Sequence, residues 1–149
     1  MIQSFREIFQ RDLERVKIEI LSYSKESDLW VIIPGTSNSG GNLCLHLIGN
    51  LNAYIGIGLA KTNYVRNREL EFSAKDVQRD TIIEMLSETM LVVRQGLDNV
   101  SDTDLPELFP IVVWDKPTTK VFTLMHLSGH LTYHLGQINY HRRMVSANH

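Results

Sequence analysis

The sequence predicts an all-α fold, a four-helix bundle, on three observations. Four stretches place their apolar residues at three- and four-residue steps, the period of one helical face. Each is longer than the usual helix of about three turns. No internal repeat or low-complexity tract competes with them, and hydrophobic residues at 43% with charged residues at 21% match an ordinary globular chain. At 149 residues the chain is expected to form a single domain over residues 1–149.

The first helix rests on Phe5, Ile8, Phe9, Leu13, Val16, Ile20 and Leu21, with Arg, Glu and Lys between them, and runs to about Tyr23. Ser24 to Gly41 mixes loop chemistry with the apolar run Leu29 to Ile33, which Pro34-Gly35 stops. Asn38, Ser39 and the Gly40-Gly41 pair then announce a second helix, from about Asn42 to Ala60. Its apolar residues surround the axis on every side, so it is expected to be the most buried element and to call for a partner subunit, a homodimer.

Lys61 to Phe72 reads as a polar connector whose Arg66, Arg68, Glu69 and Glu71 form a solvated surface. Ser73 with Asp76 three residues later marks the third helix start. Val77, Ile82, Ile83, Leu86, Met90, Val93 and Leu97 give its stripe, and Gly96, Asn99 and Ser101 its end. Ser101 to Pro117 holds three prolines and the run Ile111-Val112-Val113, which predicts a short extended segment. Thr118 or Thr119 caps the fourth helix, which continues to about Ser146.

Charge and composition exclude several functions. A formal charge of -2 and a pI near 6.3 provide no field for a phosphate backbone, so no nucleic-acid partner is expected. Cys44 is the single cysteine, which suits a reducing compartment, and Arg6, Glu7, Arg11 and Asp12 interrupt any leader-like apolar core; a cytoplasmic location is expected. The least charged stretch, Leu29 to Ala60, is broken by Pro34, Gly35, the polar run Thr36 to Asn42, His46, Asn50 and Asn52. No membrane span is expected there, and its last part reads as a buried helix.

The functional signal is a set of histidines. At about 100° per residue, with His130 as zero, His126, His134, His141 and Gln137 all fall within about 40° of it. They make one stripe on the last helix, between Phe122, Tyr133 and Tyr140 on one side and Leu124, Leu127, Leu131 and Ile138 on the other. That stripe is expected to face the core. An isolated buried histidine is ordinarily a hydrogen-bonded packing residue, but burial also favours the neutral imidazole that binds metals. Residues at i and i+4 lie about 6 Å apart along the axis and can share an ion. His130 with His134 satisfies that spacing, and so does His126 with His130.

His46 on the second helix is the natural third ligand. Asn50 lies one turn on, and Gly49 and Ala53 beside it are small, leaving volume for an ion, water and part of a ligand. Cys44 faces away. His141 reads as a rim residue and His149 as a tail. No Glu has a His three residues later, which removes a di-iron carboxylate site, and the pattern His-Glu-x-x-His is absent, which removes the zinc-protease arrangement.

Asn42-Leu43-Cys44-Leu45-His46-Leu47-Ile48-Gly49-Asn50 and His130-Leu131-Thr132-Tyr133-His134-Leu135-Gly136-Gln137-Ile138 resemble the DinB-like superfamily of metal-binding four-helix bundles. In that family one histidine of the second helix and an i, i+4 pair followed by Gly-Gln on the last helix form a three-histidine site. The resemblance therefore implies His46, His130 and His134 as ligands of a divalent metal ion, zinc or nickel first and iron next, with His126 a neighbour. Characterised relatives include transferases and an isomerase that use a small thiol such as bacillithiol, mycothiol or glutathione. What the resemblance implies here is a metal-dependent small-thiol S-transferase, with a thiol and an electrophile as its small-molecule substrates. The alternative is a non-catalytic dimeric bundle of the same family stabilised by its metal. Asn50, Tyr133 and Gln137 are expected to orient the imidazoles or hold metal-bound water.

Overall fold

A computed structural model describes residues 1–148; His149, read above as a tail, lies outside them. Helix α1 spans Ile2–Leu21, α2 Gly40–Leu51, α3 Arg68–Ser73, α4 Arg79–Asp98 and α5 Lys120–Ser146. No strand forms among the described residues, and Ile111 to Val113 joins no β-ladder. An isolated bridge between Leu108 and Thr119 is the extent of β-pairing there. The four long helices form the bundle: α1 packs against α4 and α5, and α2 with its continuation packs against the same two helices.

Local chemistry explains the boundaries. Ser39 caps α2 by accepting a hydrogen bond from the Asn42 amide, and Thr119 caps α5 in the same way from the Phe122 amide. Beyond Leu51 the helix does not stop but continues as a π-helix, Asn52–Ala60. Asn52 donates its side-chain amide to the Ile48 carbonyl and to Thr89 of α4, and Lys61 ends the segment in the left-handed region. Gly96 marks where α4 crosses this segment; a Cβ there would lie 2.7 Å from Ile55 Cγ2. Periodicity at 3.6 residues carries no signal for this wider winding.

The third long helix begins at Arg79, later than the Ser73–Asp76 signal suggested. Asp76 takes a left-handed conformation that breaks the chain direction, and the Glu26 carboxylate accepts from the Arg79 amide. Ser73 instead ends α3, a helix the connector reading missed.

Every residue of α2 is buried within one chain. The stretch Gly40–Ala60 is long and apolar enough to cross a membrane, yet 78% of its apolar window is buried inside the bundle, as expected of a core helix. The reason given above for a second subunit, an uncovered α2, therefore falls away.

Candidate metal centre

His46 reaches inward from the middle of α2, and His130 and His134 from successive turns of α5. The Nε2 atoms of His46 and His130 are 3.1 Å apart, as are those of His134 and His130, and one ligand nitrogen from each ring lies within 4.8 Å of the others. Three nitrogens bonded to one tetrahedral ion at about 2.0–2.1 Å would stand roughly 3.3–3.4 Å from one another. The two pairs that share His130 are close to that spacing as they stand.

What the outer nitrogens touch decides where the lone pairs point. His46 Nδ1 lies 3.0 Å from Glu71 Oε1, and His134 Nδ1 lies 2.6 Å from Gln137 Oε1. Both oxygens only accept, so each ring carries its proton on Nδ1 and turns an Nε2 lone pair toward His130. One Nε2–H on His130 can serve one of these lone pairs well, not both. A cation satisfies all three, and the donor set fits a divalent metal. Burial is the main reason that all three rings have pKa values below the ordinary histidine value, with His130 brought down to about 3 by burial and then by its histidine neighbours. Neutral donors are thereby in place at physiological pH.

Glu71 is the residue that sequence reasoning misplaced. Its side chain is 6% exposed, and it takes a paired contact from Arg66: Nε to Oε2 at 2.9 Å and a terminal nitrogen to Oε1 at 3.0 Å. The expected solvated surface at Arg66 and Glu71 is thus a buried ion pair behind His46. Asn42 fixes α3 in place by donating to the Glu71 and Ala74 carbonyls. Gly49 admits the carboxylate: a Cβ there would sit 1.9 Å from Glu71 Oε2. Part of the volume assigned above to an ion and its ligand is therefore occupied by Glu71. A glycine one turn from an inward histidine was the available signal, but it does not say which distant side chain fills the gap.

The remaining expected residues separate. Gln137 holds His134 and donates to the Tyr133 hydroxyl at 3.3 Å, so Tyr133 reaches the site only through Gln137 and by an edge contact with the His134 ring. Asn50 is buried with its Oδ1 unpartnered and makes no hydrogen bond to a histidine among the described residues. His126 is exposed and stacks on His130 with ring centres 6.4 Å apart, outside the three-nitrogen cluster. Cys44 is fully buried and is not in the cluster.

Two placements are corrected. His126, His130 and His134 of the stripe lie at the margin of the buried face of α5, because Leu124, Leu127, Leu131 and Ile138 take the core while Phe122, Tyr133 and Tyr140 are exposed. His141 is a core residue and not a rim residue: its Nε2–H donates to the Val31 carbonyl at 2.7 Å and its Nδ1 accepts from the Tyr23 hydroxyl at 2.7 Å.

Comparison with known proteins agrees with this architecture. A family model described as a protein of unknown function, DUF1572, matches residues 1–149. The fold is similar to the crystal structure of a DinB-like protein from Bacillus cereus ATCC 10987, with a TM-score of 0.75 and 16% identity over 97% of this chain and 92% of that one. The bundle is thus DinB-like in fold. No curated protein matches the chain.

Proposed function

The chain belongs to DUF1572, a family of proteins of unknown function, and on that footing we propose that it is a metal-dependent small-thiol S-transferase. The observation that carries this reading is the meeting of three neutral imidazoles, His46, His130 and His134, whose Nε2 atoms converge. Three protein ligands leave a divalent ion open to a further ligand, the arrangement of catalytic and not of closed structural sites. Such an ion favours the deprotonated form of a thiol beside it.

The chain's own residues supply the rest. Glu71 and Gln137 hold the rings of His46 and His134 in the tautomer that offers Nε2 inward. In the transfer the thiol proton passes to solvent, and the sulfur forms a bond to the electrophilic carbon. A halide leaves with the bonding electron pair, or an epoxide C–O bond breaks and its oxygen takes a proton from solvent.

Zinc-loaded protein given glutathione or bacillithiol should consume a haloalkane or epoxide, followed by chromatography, and His134→Ala should abolish this while keeping the helical circular dichroism. Turnover that survives His134→Ala, or that never appears with either thiol, rejects the reading. One observation favours the alternative of a metal that only stabilises packing: the three imidazoles come from two helices, α2 and α5, so an ion would clip them together. In that case chelation lowers the melting temperature by roughly 5–10 °C, the effect of about 2.7 kcal/mol of binding at a hundredfold excess over Kd, with no thiol turnover.

A further inference from the structure

Two cavities flank the histidine cluster along α5, and their chemistry differs. The first, of about 540 Å³, lies between the Trp114–Thr119 loop and the start of α5 and is lined by Trp114, Asp115, Lys116, Phe122 and His126. It is linked to the cluster through rings: Trp114 meets His126 edge-on with centroids 4.3 Å apart, and His126 stacks on His130. Asp115 and Lys116 are exposed, and neither makes an ion pair or hydrogen bond to another described residue. The second cavity, of about 380 Å³, lies beyond His134 and is lined by Thr36, Asn38, Leu43, Gln137, Tyr140 and Met144. It joins the cluster through Gln137, which touches His134. No Asp, Glu, Lys or Arg lines it, and burial lowers the pKa of His141 at its wall, against the opposing pull of the Val31 carbonyl.

From this asymmetry we infer that the Trp114–His126 cavity binds the charged body of a thiol carrying both a carboxylate and an amine, and the Gln137–Met144 cavity binds an uncharged electrophile. The inference rests on the transfer reading above and adds the assignment of substrates to sides. Lys116 offers a cation to the carboxylate and Asp115 an anion to the ammonium, and Trp114 and Phe122 supply apolar surface in the same cavity. A neutral haloalkane or epoxide is the better occupant of the uncharged side, where an ionic group would lose water without a counter-charge. The two substrates then lie on either side of the histidine cluster along α5, and displacement requires the sulfur to meet the carbon on the face opposite its leaving group.

The test uses capped thiols, S-methylglutathione and S-methylbacillithiol, whose blocked sulfur makes binding report the cavity. Trp30→Phe leaves Trp114 as the remaining tryptophan; Trp30 Nε1 makes no hydrogen bond, so none is lost. Titration of this variant, zinc-loaded and chelated, should give a saturable change in Trp114 emission with at least one probe in both preparations. Lys116→Ala should weaken that binding about two- to fivefold, the scale of one exposed ion pair, and Tyr140→Ala should leave it unchanged. The inference is overturned if neither probe binds, if Lys116→Ala has no effect, or if Tyr140→Ala weakens binding as much. Binding as expected without any thiol turnover would reject the transfer reading and keep the thiol site.

Discussion

Replacing Glu71 with Gln probes the support of the metal centre without changing its shape. Glu71 Oε1 accepts from both His46 Nδ1–H and one Arg66 terminal nitrogen, while Oε2 accepts from Arg66 Nε. A carboxamide has one oxygen and one NH₂ group, so either orientation sets donor against donor, at His46 or at Arg66. The side chains involved are 6% exposed for Glu71, 8% for His46 and 16% for Arg66, so water does not rescue the lost contact. Breaking a buried pair costs about 3 kcal/mol, at the lower end because the shape is kept. With a urea m value of about 2 kcal/mol per molar, the unfolding midpoint of metal-free protein should fall by roughly 1.5 M. Loss of the group that orients a ligand histidine should also weaken zinc binding about 10- to 100-fold. Urea unfolding of metal-free protein and competition with a chromophoric chelator measure the two effects separately. A variant that binds zinc as tightly as the parent would refute the role given to Glu71, whatever its stability.

Three further outcomes follow from the same contacts. Gly49→Ala should displace the Glu71 carboxylate while every charge remains, so zinc affinity should fall toward that of Glu71→Gln; an unchanged affinity shows that the carboxylate position is unimportant. Burial lowers the pKa of His46, His130, His134 and His141 below the ordinary value of 6.5, so the unfolded chain binds protons first as pH drops. Metal-free protein should keep its urea midpoint above about pH 7 and lose it progressively below about 6.5; a midpoint that stays flat to pH 5 contradicts this. Tyr23→Phe strands the buried His141 Nδ1 and should cost about 1–3 kcal/mol in urea unfolding, with zinc affinity unmoved because the contact lies outside the cluster.

Much of this was legible in the chain, for reasons that differ by element. α5 could be bounded closely because Thr119 is a local cap and the apolar stripe that follows is long, and His46, His130 and His134 stood out because helical spacing is a local property. Glu71 was hidden because its partner His46 lies 25 residues away and the six-residue α3 carrying it has too few turns to show a period. Ion pairing made the reading worse: Arg66 and Glu71 look like solvated residues precisely because each alone would be, and only their mutual contact permits burial. His141 misled similarly, since its satisfying partners, the Tyr23 hydroxyl and Val31 carbonyl, lie 118 and 110 residues away in the chain. The π-helical continuation of α2 opens at Asn52, whose side-chain amide reaches Thr89 on α4, a tertiary contact that the sequence of α2 does not contain.

Crystallography of zinc-soaked protein with anomalous data at the zinc edge tests the central claim most directly. One strong anomalous peak bonded to Nε2 of His46, His130 and His134 at about 2.0–2.1 Å is expected, with His126 and Cys44 unliganded. A peak held by other residues, or none at these three nitrogens at saturating zinc, would contradict it.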